Sequence, residues 1–338
     1  MEKVYRRGEN MRKVGSNTQM EIENQETFQI TMMTLVNCMN DLMSLLQDEN
    51  IFEVYINPDG KVWTDSFRGR EFTGMKVSAA QVKQIILNVA ALTNQLVTDE
   101  KPALDAEIPC NEYFDKCRFE GNLPGIVLSP TLNIRKHPKK IFTLEDYVEQ
   151  GILTENQREI IIRAIHDKKN IIAAGGTKSG KTTLLNALLA EISKLNDRVI
   201  LIEDTPELQC TAADCVSMRT MRTFTMSDCL RSVLRMTPDR IVVGEVRGGE
   251  ALALLDAWST GHGGGCSTVH SNSAKDTLLR LENMTARVSQ NPQQATIGQA
   301  VNLIIYLKYV GKRRIVEDII EVEGYNAARK EYNLKKLV

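Results

Sequence analysis

Residues Gly175-Gly176-Thr177-Lys178-Ser179-Gly180-Lys181-Thr182, followed by Thr183, carry the spacing Gly-x-x-x-x-Gly-Lys-Thr. Residues of these types at this spacing suit a polyphosphate. Glycines let successive backbone N–H groups turn toward one anion, and a helix starting at the last glycine adds its positive dipole end. Lys181 is suited to the β and γ phosphates of ATP, and the Thr182 hydroxyl to Mg²⁺. Two acidic positions could serve the same phosphates. The apolar run from Arg198 to Glu203 continues into Asp204 and Thr205, and the run from Arg240 to Val243 ends in Gly244-Glu245. A carboxylate at such a strand end is often only solvated, but two of them, Glu203 and Glu245, beside a phosphate loop could orient attacking water. In the segment from Gly261 to His270, four glycines and two histidines allow close backbone approach. His270 is placed to sense a γ-phosphate or to touch Glu245. Zinc would need ligands that this segment does not supply. Arg219, Arg222, Arg231, Arg235 and Arg240 lie between the acidic runs. Most are expected to pair with surface acids, and one or two could reach a phosphate across a subunit boundary.

These side chains need a frame. The run Ile171 to Ala174 precedes the loop, and Leu184, Leu185, Leu188, Leu189 and Ile192 follow at helical spacing, which is the strand–loop–helix context the motif requires. With Arg198 to Glu203, Arg240 to Val243 and Cys266 to His270 as further strands between helical stretches, the pattern predicts an α/β domain with a doubly wound parallel sheet and its ligand at the carboxyl edge. Leu303 to Tyr309 and Arg314 to Val322 predict a closing hairpin around Gly311. Upstream, Phe28 to Leu46 reads as an amphipathic helix. Phe52 to Ile56 and Lys61 to Thr64 flank the turn Asn57-Pro58-Asp59-Gly60, and Ala79 to Leu96 has one apolar helical face. The expected division is a flexible tail over 1–27, a smaller α+β domain over 28–136, a linker with a first helix over 137–150, and the ATPase domain over 151–338. His137-Pro138-Lys139-Lys140 is the linker, and Thr143 with Asp146 forms a capping box.

At 338 residues the chain fits two domains, and 42% hydrophobic with 25% charged residues is ordinary globular composition. A net charge of −1 gives no overall footprint for nucleic acid, so direct nucleic-acid binding is not expected. Seven cysteines without a Cys-x-x-Cys pair argue for reduced thiols and a cytoplasmic setting. Polar residues interrupt the apolar run from Phe28 to Leu46, which falls short of a membrane span.

Taken in order, residues 175–186, Ile-Glu-Asp-Thr-Pro-Glu-Leu-Gln at 202–209, Leu-Arg-Met-Thr-Pro-Asp-Arg-Ile-Val-Val-Gly-Glu-Val-Arg at 234–247 and Gly-His-Gly-Gly-Gly-Cys-Ser-Thr-Val-His-Ser-Asn at 261–272 resemble the Walker A, Asp box, Walker B and His box of the secretion traffic ATPases. The likeness extends over residues 50 to 325 and is strongest to the type IV secretion branch. It implies a RecA-like ATPase domain behind a smaller N-terminal domain, a hexameric ring of identical chains, and ATP with Mg²⁺ held between the domains. It also implies hydrolysis supported by Glu203 and Glu245, and Arg118 and Arg135 as N-terminal arginines that approach the nucleotide. Other secretion-machine proteins at the inner face of the cytoplasmic membrane would be the partners, with peripheral attachment there. A pilus or type II secretion motor is the alternative machine, although the paired Cys-x-x-Cys module frequent in type II relatives is missing. An ATP-gated scaffold with little turnover is the alternative of another class. Lys178 stands where these loops usually have glycine, and Gly244-Glu245 replaces an aspartate-bearing Walker B.

Overall fold

The computed structural model describes residues 25–66, 69–136, 141–221, 223–310 and 313–338. Most of the expected tail, the linker His137 to Lys140, Gly311 and Arg222 lie outside them. The chain divides into two compact units, Met1–Lys140 and Ile141–Val338.

The first unit opens with helix α1 over residues 25–38. A tight 3-10 turn at Asn40–Leu42 and the short helix α2 (Met43–Gln47) follow, where one continuous helix is expected from the apolar spacing. The break has a cause in polar capture: the Gln81 side-chain amide donates to the carbonyl of Cys38 at 2.9 Å and to Asp41 Oδ2 at 3.2 Å. Six strands then form one antiparallel sheet in the order β3-β2-β1-β6-β5-β4. They are β1 (Ile51–Ile56), β2 (Lys61–Ser66), β3 (Gly69–Lys76), β4 (Ala103–Ile108), β5 (Cys117–Asn122) and β6 (Thr131–Lys136). Gly60, at φ 75°, closes the β1–β2 turn. Between β3 and β4 lies α3 (Ala79–Leu92), which stops short of the expected Leu96. Asn94 takes a left-handed φ of 51°, and the N–H of Gln95 returns to the carbonyl of Ala90, a helix-ending Schellman arrangement that leaves Leu96 exposed. Val54, Ile56, Leu104, Phe119, Leu132 and Ile134 on the sheet share one core with Val82, Ile85, Ile86 and Val89 of α3.

The second unit is α/β. Thr143 caps α4 (Leu144–Glu149) with Asp146 in a reciprocal capping box, and Thr154 does the same with Gln157 for α5 (Glu155–His166). The chain then runs through β7 (Ile171–Gly175), α6 (Lys181–Ile192), β8 (Val199–Glu203), β9 (Cys215–Arg219), α7 (Met226–Val233), β10 (Arg240–Val243), α8 (Glu250–Ser259), β11 (Cys266–His270), α9 (Ala274–Thr285) and α10 (Gln294–Ala300). It ends in β12 (Leu303–Val310), β13 (Arg313–Asn326) and β14 (Glu331–Lys336). The sheet order is β14-β13-β12-β7-β11-β10-β8-β9, parallel from β12 to β9 and antiparallel through the last three strands. The closing hairpin is thus part of the main sheet, with β12 paired parallel to β7.

Strand alternation sorts the helices. Ile172, Ala174, Ile200 and Ile202 pack against α7 to α10, whereas Ile171, Ala173, Val199 and Leu201 pack against α4 to α6. Every residue of β7, β8 and β10 is buried, which is why these segments read as continuous apolar runs. Strand β9 escapes a sequence reading because it is a half-exposed edge with no such run. Arg240 is not available to any phosphate. It is 1% exposed, with Nε 2.6 Å from Asp197 Oδ2 and its other nitrogens donating to the carbonyls of Gly264 and Ile165, so it fastens the amino edge of the sheet.

Candidate active site

All the chemistry gathers at the carboxyl edge of the parallel strands. The loop after β7 turns through Gly175, where a Cβ would lie 2.5 Å from the carbonyl oxygen of Leu307 and 2.6 Å from Ser179 Oγ. It enters α6 at Gly180, whose φ of 95° is left-handed. Lys181, Thr182 and Thr183 are the first three residues of α6. No side chain caps that helix, so its first-turn N–H groups face the loop and provide an anion seat. Ser179 Oγ is buried without a hydrogen-bond partner among the described residues. Gly176 and Thr177 are exposed at the loop's rim.

Lys178, the departure from the family pattern, has φ 62°, in the left-handed region where glycine is unstrained. A side chain there costs on the order of 1–2 kcal/mol. Lys178→Gly is therefore expected to raise unfolding free energy by about 1 kcal/mol after the added freedom of the unfolded chain is subtracted. Denaturant titration reads this directly, and an unchanged or lowered midpoint would contradict it.

Lys181 is 6% exposed, and its Nζ donates to the carbonyl of Gly176 at 2.8 Å and lies 3.2 Å from His270 Nδ1. An ammonium group only donates, so Nδ1 is the acceptor and the ring proton sits on Nε2. Nε2 faces Glu245 Oε1 at 3.2 Å, and Glu245 Oε2 is held by Arg247 Nη2 at 2.7 Å. Glu245 Oε1 is buried without a well-aligned hydrogen bond among the described residues. Lys181, His270, Glu245 and Arg247 thus form one chain of contacts leading away from the phosphate loop.

Burial, reinforced by the Lys181 charge, lowers the pKa of His270 below 6.5 and outweighs the opposing pull of Glu245. The neutral ring is the form that accepts from Lys181. Turnover is expected to hold as pH falls from neutrality through 6.5 and to drop only below it. A pH profile of kcat with its acid limb centred above 6.5 would contradict this.

Glu203 sits further along the edge. Strand order places β8 three strand spacings from β7, about 14 Å. Its carboxylate is 4% exposed, and Oε1 accepts from the backbone N–H groups of Glu207 and Leu208, both at 2.9 Å. Burial raises its pKa, against those two hydrogen bonds. Glu203 therefore anchors the loop after β8. Asn186 of α6 clasps that loop from the other side, donating to the carbonyl of Glu207 and accepting from Gln209 N. The half-buried acid displayed by this loop is Glu207, which with Asp204 and Glu245 acts electrostatically on Arg247. Sequence reading missed Glu207, Asn186 and Arg247. The signal available for Glu207 was a third acid, two residues past Thr205 in the same short motif, and for Arg247 its place two residues after Glu245.

The glycine-rich segment before β11 divides between two tasks. At Gly265 a Cβ would lie 2.2 Å from Trp258 Nε1 and 2.3 Å from the carbonyl oxygen of Ile241, so this glycine serves packing. His262 stands before β11, at the edge away from the phosphate loop, and only His270 reaches the site. Among the arginines, Arg231 pairs with Asp228, Arg219 Nε donates to the carbonyl of Asp204, and Arg235 is exposed. Arg118 and Arg135 belong to the first unit. They are direct cross-strand neighbours on β5 and β6, both exposed, with Glu107 and Glu53 next in register on either side. Two like charges directly opposite are unfavourable without an anion or flanking acids.

Residues 34–321 match the family model described as type II/IV secretion system protein. The chain is 42% identical over 300 residues to the probable conjugal transfer protein TrbB of Sinorhizobium fredii, covering 88% of this chain and 91% of that protein. It is 29% identical over 303 residues to the type IV secretion system protein VirB11 of Bartonella quintana, covering 77% and 83%. Among solved structures, the Legionella pneumophila ATPase DotB shares the fold, with a TM-score of 0.62 at 20% identity, covering 82% of this chain and 78% of that one. The chain belongs to the type II/IV secretion system protein family. Its N-terminal unit precedes an α/β unit, and the chain shares the DotB fold.

Proposed function

We propose that this chain hydrolyses ATP to energise a conjugative type IV secretion machine, either its assembly or the passage of its substrate. The observation that carries the chemistry is the run of contacts from Lys181 through His270 to Glu245 and Arg247 beside an uncapped helix N-terminus. Backbone N–H groups from Gly175 to Thr183 cradle the phosphates, with the Lys181 ammonium turning from the Gly176 carbonyl to the β and γ oxygens. Mg²⁺, held by the Thr182 hydroxyl and phosphate oxygens, would supply charge neutralisation. Glu245 orients the attacking water, His270 holds Glu245 and Lys181 in register, and Arg247 fixes the far carboxylate oxygen. Glu207 adds a second carboxylate, positioned by Glu203. Arg118 and Arg135 serve the nucleotide from the N-terminal unit, within a ring of six copies as the family resemblance implies.

The conjugative setting rests on the 42% identity to a conjugal transfer protein over most of both chains. Peripheral attachment at the cytoplasmic face is what the family resemblance implies; no helix among the described residues is long and apolar enough to cross a membrane. Secretion-machine proteins at that face are the partners. The test is twofold. Purified chain with Mg²⁺ and ATP should release phosphate over many turnovers, and plasmid-bearing donor cells lacking the chain should regain transfer only with a hydrolysing copy. Tight ATP binding with negligible release would favour a nucleotide-gated scaffold, and restored transfer by a non-hydrolysing copy would remove the motor role.

A further inference from the structure

The cleft of ≈ 760 Å³ beside the phosphate loop has a wall that the hydrolytic scheme does not use. Gly176 and Thr177 border it, Glu245 and His270 face into it, and α9 closes it with Arg280 and Asn283. Arg280 is half-buried there and has no carboxylate partner among the described residues. Asp276, one turn back, stands where an i,i+4 pair could form, yet the pair is not made. Other described arginines near the site are engaged: Arg247 with Glu245, Arg287 with the carbonyl of Arg247, and Arg314 with the Tyr309 hydroxyl. The Arg280 charge also reaches His270, where it adds to Lys181 and Arg247 in disfavouring protonation.

A partly desolvated guanidinium without a counter-charge is unfavourable until an anion arrives. Its planar fork matches two oxygens of a phosphate better than an ammonium does. In this cleft the anion within the reach of both the loop and α9 is the outermost phosphate of a nucleotide seated on Gly175 to Thr182.

We propose that Arg280 reads the γ-phosphate, donating to it from α9 of the same chain, so that the site distinguishes ATP from ADP. The inference rests on ATP occupying the loop as set out above. Lys181 meets both diphosphate and triphosphate, whereas Arg280 engages only when the terminal group is present. Arg280 is thus a specificity-determining residue for the triphosphate state.

The experiment is equilibrium binding of ADP and of a non-hydrolysable ATP analogue, with Mg²⁺, to the full chain as wild type, Arg280→Ala and Arg280→Lys. Thermal melts of each variant establish folding. Arg280→Ala is expected to weaken the analogue roughly tenfold or more and ADP less than about twofold, the scale of one charge-assisted contact. Arg280→Lys should fall between, because it keeps the charge and loses the fork. Equal weakening of both nucleotides, or of neither, in folded Arg280→Ala overturns the proposal. Wild type binding neither nucleotide overturns the ATP site itself, and this inference with it.

Discussion

Lys181→Ala is expected to lower ATP hydrolysis by on the order of 10³-fold while the chain stays folded. The lysine is almost fully buried, and its ammonium contacts the Gly176 carbonyl and His270 Nδ1, both part of the phosphate site. Its removal takes away the positive charge aimed at the transferred phosphate and leaves His270 without its donor. None of the apolar clusters that hold the second unit together includes Lys181. Phosphate release and a thermal melt on the same preparation separate the effects. Unchanged turnover would show that phosphates do not use this lysine.

Glu245→Gln should give the second large effect, a fall in kcat of about 10²–10⁴-fold with nucleotide binding nearly preserved. The amide is isosteric, and its oxygen can still face His270 Nε2. What it lacks is the negative charge that draws a proton from water, so the loss belongs in the chemical step and not in affinity. Steady-state kinetics together with analogue binding check this. A large loss of affinity at constant kcat would assign Glu245 to nucleotide holding instead of water activation.

Much of this site was legible in the sequence because parallel strands of a doubly wound sheet deliver their carboxyl ends to one edge. The loop at 175–182, Glu245 and His270 each follow a buried apolar run, and β7, β11 and β10 bring them side by side. Lys178 was visible as a departure, but only the backbone shows that it occupies a left-handed position. Glu203 shows where strand-end reasoning falls short. An acid at the last strand residue can turn inward to hold its own loop, and two backbone N–H groups and burial do that here, leaving Glu207 at the surface of the loop. The glycines before β11 illustrate a second limit. Their density reads as allowing close backbone approach without saying to what, and the structure shows that Gly265 is required by Trp258 and the Ile241 carbonyl at the opposite edge. Arg240 likewise reads as one more surface arginine, and only the packed structure reveals it as a buried clamp. Helix ends in the first unit depended on single side chains, Gln81 and Asn94, whose effects no periodicity encodes.

The most direct test of the hydrolytic site is a crystal structure of the chain with Mg²⁺ and a non-hydrolysable ATP analogue. The predicted result has the γ-phosphate against Lys181 Nζ, the Gly176 contact released, the metal on the Thr182 hydroxyl and a water on Glu245 Oε1. Phosphates bound elsewhere, with Lys181 still on the Gly176 carbonyl and His270, would contradict the assignment.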